Sequence, residues 1–85
     1  MGKYKIEIKR SAVKELKKLP ASDLKKILDK IGKLSNNSRP AGCRKLTAEE
    51  KYRLRYGPYR ILYAIEDQIL IVYVVKVGLR KNIYR

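Results

Sequence analysis

Apolar and polar residues alternate from the start of the chain, with Tyr4, Ile6 and Ile8 set against Lys3, Lys5, Glu7 and Lys9. Strand side chains point to opposite faces with period two, so Lys3 to Lys9 is predicted to be a strand with one buried face. The period then changes. Val13, Leu16 and Leu19 fall near helical spacing, with Ser11 as the candidate cap and Pro20 as the stop. After Pro20, with Ser22 or a neighbour as cap, Leu24, Ile27, Leu28, Ile31 and Leu34 trace one apolar stripe at i, i+3, i+4, i+7. A helical hairpin therefore follows the first strand.

Ser35 to Gly42 is a run of turn formers that carries the chain to its next element. Lys51 to Tyr56 and Tyr59 to Glu66 alternate again around Gly57-Pro58, which predicts a β-hairpin. Glu66-Asp67-Gln68 reads as a second turn. Ile69 to Val77 is nearly all apolar, the pattern of a strand covered on both sides, and Gly78 is its predicted end. The order strand, helix, helix, strand, strand, strand gives an α+β fold: two N-terminal helices packed on one face of a small, mainly antiparallel sheet. Residues 1–85 make one domain.

The hairpin carries the most specific chemistry. Its alternation puts Arg53 and Arg55 on one face and Tyr52, Leu54 and Tyr56 on the other. If Tyr56 to Tyr59 form the connection, Arg55 stands opposite Arg60 and three guanidinium groups crowd one surface. Like charges opposed on a sheet are destabilising, so this face is predicted to receive a polyanion. The tyrosines Tyr52, Tyr56, Tyr59 and Tyr63 fall on the opposite side and read as core rather than as stacking platforms for bases.

Charge strengthens this reading. The formal net charge is +14 over 85 residues, which predicts attraction to nucleic acid, to acidic membranes or to an acidic protein. Residues 1–35 hold ten of the 14 lysines, whereas residues 36–85 hold seven of the eight arginines. Lysine is a hydrated point charge suited to solubility and steering, while arginine grips phosphate with a planar fork. The single cysteine, Cys43, cannot form an intrachain disulfide, and with no histidine there is no Cys/His metal constellation. No metal or cofactor is expected. With no apolar signal core and no run long enough to span a bilayer, the chain is expected to be cytoplasmic and to use no membrane.

Four segments, in this order, resemble the RelE/ParE superfamily of toxins from bacterial and archaeal toxin-antitoxin pairs. They are Lys14 to Pro20, Pro40 to Leu46, Tyr52 to Tyr63, and Val77 to Arg85. The resemblance spans essentially the whole chain and implies an endoribonuclease that cuts mRNA in the ribosomal A site. It implies catalytic roles for Arg60, Arg80 and Tyr84, and RNA binding by Lys51, Arg53, Arg55 and Lys81. It also implies an acidic cognate antitoxin, with the ribosome and mRNA as partners. Three departures from the family pattern stand out. Leu79 occupies a position where many relatives have histidine, Arg53 and Arg55 replace lysines of some members, and the spacing from Arg80 to Tyr84 is short.

Such a nuclease needs no metal if the ribose 2′-hydroxyl attacks the adjacent phosphate in line. It must deprotonate that hydroxyl, stabilise the extra charge of the transition state and assist the departing 5′-oxygen. Arginine suits the second task, and Arg60 and Arg80 are the candidates. Proton transfer falls to Tyr84, whose pKa nearby cations would lower, or to Glu49 or Glu50 as a carboxylate base. Two other classes fit the sequence: a gyrase-inhibiting toxin of the same fold, and a noncatalytic basic module that binds nucleic acid.

Overall fold

The computed structural model describes residues 3–46 and 51–79. The chain runs β1 (Lys5–Ile8), α1 (Arg10–Lys17), α2 (Ala21–Lys33), β2 (Arg44–Lys45), β3 (Lys51–Tyr56), β4 (Tyr59–Glu66) and β5 (Ile71–Leu79). The strands form one sheet in the order β1-β5-β4-β3-β2. All pairings are antiparallel except β1 with β5, which run parallel. The predicted α+β class and the hairpin bounds agree with this architecture.

Both helices start without the expected side-chain caps. Lys9 and Pro20 occupy the cap positions, and neither makes a side-chain capping bond. Ser11 and Ser22 lie inside their helices instead. The helices are held by burial and by charge at their ends: Asp23 sits in the first turn of α2, and Lys30 and Lys33 in its last, where each favours the helix dipole. Lys33 also pairs with Asp29 at 3.3 Å, one turn back.

The core lies between the helices and one face of the sheet. Ala12, Leu16, Ile27, Ile31 and Leu34 pack toward Tyr52, Leu54, Ile61, Tyr63, Val72, Val74 and Val77. Removing a fully buried side chain of this kind, such as Ile27, costs about 2–5 kcal/mol. Leu28 departs from the predicted stripe and is 43% exposed, because the helix turns it past the edge of the sheet-facing arc.

The last strand corrects the sequence reading at both ends. Ile69 and Leu70 belong to the turn, Ile69 being 65% exposed and Leu70 adopting φ 55°, and the strand runs on through Gly78 to Leu79. Leu70 also supplies the carbonyl that receives Lys5 N–H at 2.7 Å, which anchors the start of β1. Nor is β5 covered on both faces. Val72, Val74 and Val77 are buried, while Ile71, Tyr73, Val75, Lys76 and Gly78 are half-buried. The change of phase at Val75 is a bulge: Leu62 pairs with Lys76 but Tyr63 with Val74.

Candidate nucleic-acid interface

The face of the sheet turned away from the helices collects the arginines. Gly57, with φ 55°, and Pro58 make a two-residue turn that aligns Tyr56 with Tyr59. Register then follows without freedom, and Arg55 stands opposite Arg60 as the alternation predicts. Arg53 lies one row further along the same face, opposite Leu62. On its other side Arg53 faces Arg44 of the two-residue strand β2. Opposite partners in a ladder share a face, so Arg44, Arg53, Arg55 and Arg60 form two adjacent rows of two.

Arg44 is the member that sequence reasoning missed. Two residues are too few to show a period, and the only signal is an arginine just after the turn at Pro40-Ala41-Gly42. Lys51 lies on the same face as Arg53 and is exposed. Arg55 is exposed, Arg53 half-buried, and Arg60 only 6% exposed. Arg60 therefore sits in a position of low dielectric, where its interactions are less screened than those of the exposed Arg55. Among the described residues, neither Arg44 nor Arg55 has an ion-pair or hydrogen-bond partner.

Gly78 stands opposite Arg60 on β5. A Cβ placed there would meet nothing within 4 Å, so open space lies on the sheet beside the buried arginine. The neighbouring cation of β5 is drawn elsewhere. Lys76 Nζ pairs with Glu15 of α1 at 3.2 Å, and the same carboxylate accepts Val77 N–H at 3.0 Å. Glu15 thereby satisfies the edge of β5 beyond the reach of β1 and locks the end of the strand that carries Gly78.

The tyrosines of the hairpin lie on the helix-covered face, as expected, and serve structure. Tyr59 donates to Asp23 at 2.8 Å, and that bond, followed by burial, raises its pKa. Tyr63 donates to the Ser38 carbonyl at 2.9 Å, and burial above all pushes its pKa far up, with the neighbouring Cys43 adding to the effect. Tyr52 stacks on Tyr63 with ring centroids 5.8 Å apart and receives Arg39 Nε at 2.9 Å. Arg39 also forks onto Asp67, at 2.9 and 3.3 Å, while Tyr4 donates to the same carboxylate. The Arg39 bonds, then the Tyr4 bond, hold the Asp67 carboxyl below the usual range.

The described part of the cationic face therefore has the charge and the fork-shaped donors that phosphate recognition and charge stabilisation would require. Arg80, Lys81 and Tyr84, together with the alternative bases Glu49 and Glu50, lie outside the described residues. Among the described residues no three His, Cys, Asp or Glu side chains are grouped to hold a metal ion, and no helix is long and apolar enough to cross a membrane.

Comparison with known proteins agrees with the fold. Residues 6–84 match the model of the ParE toxin of type II toxin-antitoxin systems, parDE. A RelE1 toxin candidate of Methanocaldococcus jannaschii is 34% identical over 89 residues, covering 98% of this chain and 97% of that one. The RelBE2 toxin-antitoxin complex of Mycobacterium tuberculosis contains a chain with TM-score 0.80 and 28% identity, covering 92% of this chain and 99% of that one. The archaeal RelE-RelB complex of Pyrococcus horikoshii OT3 gives TM-score 0.80 at 24% identity over 94% and 97% of the two chains, a likeness of fold.

Proposed function

This chain belongs to the ParE toxin family of type II toxin-antitoxin systems, within the RelE/ParE superfamily, and from that premise we propose that it is a ribosome-dependent endoribonuclease that cuts mRNA in the A site. The observation that carries the reading is the Arg55–Arg60 pair, with Arg60 buried next to the open space at Gly78. Arg44, Arg53, Arg55 and Lys51 hold the phosphates of a single strand. Arg60, with Arg80, stabilises the charge that builds on the scissile phosphate as the 2′-hydroxyl attacks. The products are a cyclic phosphate and a 5′-hydroxyl.

Tyr84 as its phenolate, or a carboxylate from Glu49 or Glu50, takes the proton of the 2′-hydroxyl, the departing 5′-oxygen takes a proton from water, and Lys81 adds a phosphate contact at the end of the path. The chain has no histidine to serve as a tuned acid-base pair, so positioning of the message by the ribosome supplies much of the rate. The physiological partner is an acidic antitoxin. A net charge of +14 favours it, and the solved relatives named above are toxin-antitoxin complexes. The work is cytoplasmic, where ribosomes and message are found.

Purified ribosomes programmed with a short message test this. Cleavage at the A-site codon is expected, with most of it lost in Arg60→Ala and Arg80→Ala at unchanged folding. Intact message at saturating protein sinks the reading. A second reading, inhibition of DNA gyrase, draws on the ParE description of the matching family model, and it predicts loss of supercoiling activity with the message left whole.

A further inference from the structure

Tyr73 differs from every other described tyrosine. Tyr4 bonds Asp67, Tyr52 engages Arg39, Tyr59 bonds Asp23, Tyr63 bonds Ser38, and Tyr56 carries Lys30 Nζ 5.5 Å from its ring centroid. Among the described residues Tyr73 has no hydrogen bond and no ring contact. It is half-buried on β5, and the register puts it on the same open face as the arginines. Its β4 neighbour is Ala64, whose methyl group cannot cover a phenol ring, and its β1 neighbour is Glu7.

Glu7 is itself half-buried, with 43% of its side chain open to solvent. Lys5 pairs with it along the same face at 3.7 Å, an ion pair too long for a hydrogen bond, so the carboxylate oxygens keep acceptor capacity for a ligand. A half-buried aromatic ring without a partner among the described residues, beside an acceptor-only group and on the face that carries the arginines, has the composition of a base-reading subsite. Tyr73 lies five residues before Gly78, about 16 Å along the strand at roughly 3.3 Å per residue. An extended single strand held at Arg60 crosses that gap in a few nucleotides.

We infer that Tyr73 and Glu7 form a guanine-reading subsite for the RNA strand whose phosphates the arginines hold, with Tyr73 stacking on the base and Glu7 accepting its N1–H and N2 amino protons. The donor pattern selects guanine. Its Watson–Crick edge offers two adjacent donors to the two carboxylate oxygens. Adenine and cytosine each set an acceptor nitrogen beside their single amino group, and uracil flanks its one N–H with carbonyls, so each turns a lone pair toward Glu7. The subsite deepens the RNA-cutting reading and rests on it for its biological meaning, but its binding chemistry is separable.

Short 2′-O-methyl oligonucleotides, which cannot be cut, test it by fluorescence anisotropy. One guanine is moved through an otherwise uridine hexamer, with adenine and inosine hexamers as controls. At the preferred position guanine is expected to bind about tenfold more tightly than adenine, in line with a two-bond base contact. Inosine, lacking the N2 amino group, falls between them. Glu7→Gln is expected to erase the preference for guanine over adenine. Tyr73→Leu weakens binding about tenfold whatever the base, while Tyr73→Phe retains it. Equal affinity of the wild-type protein for all hexamers, or a guanine preference that survives Glu7→Gln, overturns the inference. A guanine preference in a protein that leaves ribosome-bound message intact sinks the nuclease reading alone and supports the subsite, whereas cleavage with no such preference overturns only the subsite.

Discussion

Arg55 and Arg60 stand directly opposite each other across the β3–β4 ladder, the first exposed and the second only 6% exposed. Their Cβ atoms are then about 5 Å apart, and the two charges repel. Burial of one of them keeps that repulsion from being fully screened. The pair is a cost to the isolated fold that a bound anion would relieve.

Arg55→Thr is therefore expected to stabilise the free protein by about 0.5 kcal/mol, since it removes a like-charge pair and adds a good strand former. RNA affinity should fall, and the slope of log affinity against log salt should shrink by about 0.7, the contribution of one single-strand phosphate contact. Urea unfolding and a salt titration measure the two effects. An unchanged salt slope would remove Arg55 from the phosphate path.

Arg60→Ala is expected to lower message cleavage by about a hundredfold or more, the usual loss when a charge-stabilising donor is removed. Far-ultraviolet circular dichroism should be unchanged. Arg60→Lys keeps the charge but not the fork, and is expected to recover only part of the loss.

Gly78→Ala separates space from stability. The added methyl meets no protein atom within 4 Å, so the fold should be unaffected or slightly firmer, by about 0.5 kcal/mol. On the proposed nuclease reading cleavage should nonetheless drop, because the methyl would intrude on the open space beside Arg60. Full activity in this variant would place the scissile phosphate elsewhere.

The Arg39–Asp67 fork ties the segment after α2 to the turn between β4 and β5, with Tyr4 and Tyr52 joined to it. Asp67 has a depressed pKa in the folded state. Its stabilising contribution is thus complete above the ordinary carboxylate value of about 3.9 and is lost as pH falls through the lower folded value. Asp67→Asn is expected to lower Tm at neutral pH, and the gap from the wild-type protein should close as the solution is acidified below that range. A gap independent of pH would mean that shape, not charge, sets the contribution.

Tyr63→Phe removes a buried hydroxyl and leaves the Ser38 carbonyl without its donor, at an expected cost of about 1–2 kcal/mol in urea unfolding. Because the folded pKa of Tyr63 is raised, its contribution is complete below about 10 and is lost as pH rises beyond that. Alkaline unfolding of the wild-type protein should accordingly steepen above that value, and less so in Tyr63→Phe.

Much of this was legible in the chain. Period-two alternation around Gly57-Pro58 settled the bounds of β3 and β4 and the facing of Arg55 and Arg60, because a two-residue turn leaves no choice of register. Helical periodicity placed α1 and α2, although the capping serines did not cap: the turn at Pro20 and the burial of Leu16, Ile27 and Ile31 set the helix ends instead.

Three features were decided only by the folded structure. Arg44 joins the cationic face because β2 pairs with β3, a contact between residues nine apart that no local period announces. The bulge at Val75 shifts the phase of β5, so an apolar run that reads as doubly covered buries one face and opens Tyr73 on the other. Glu7 meets Tyr73 only because β1 and β5, at the two ends of the chain, pair in parallel. The sequence by itself determined the two helices, the four longer strands, the fold class and the sign of the surface, since those follow from local period and composition. Which charges and rings share a site was left to long-range strand pairing, because register between distant segments is set by the packing of the whole core.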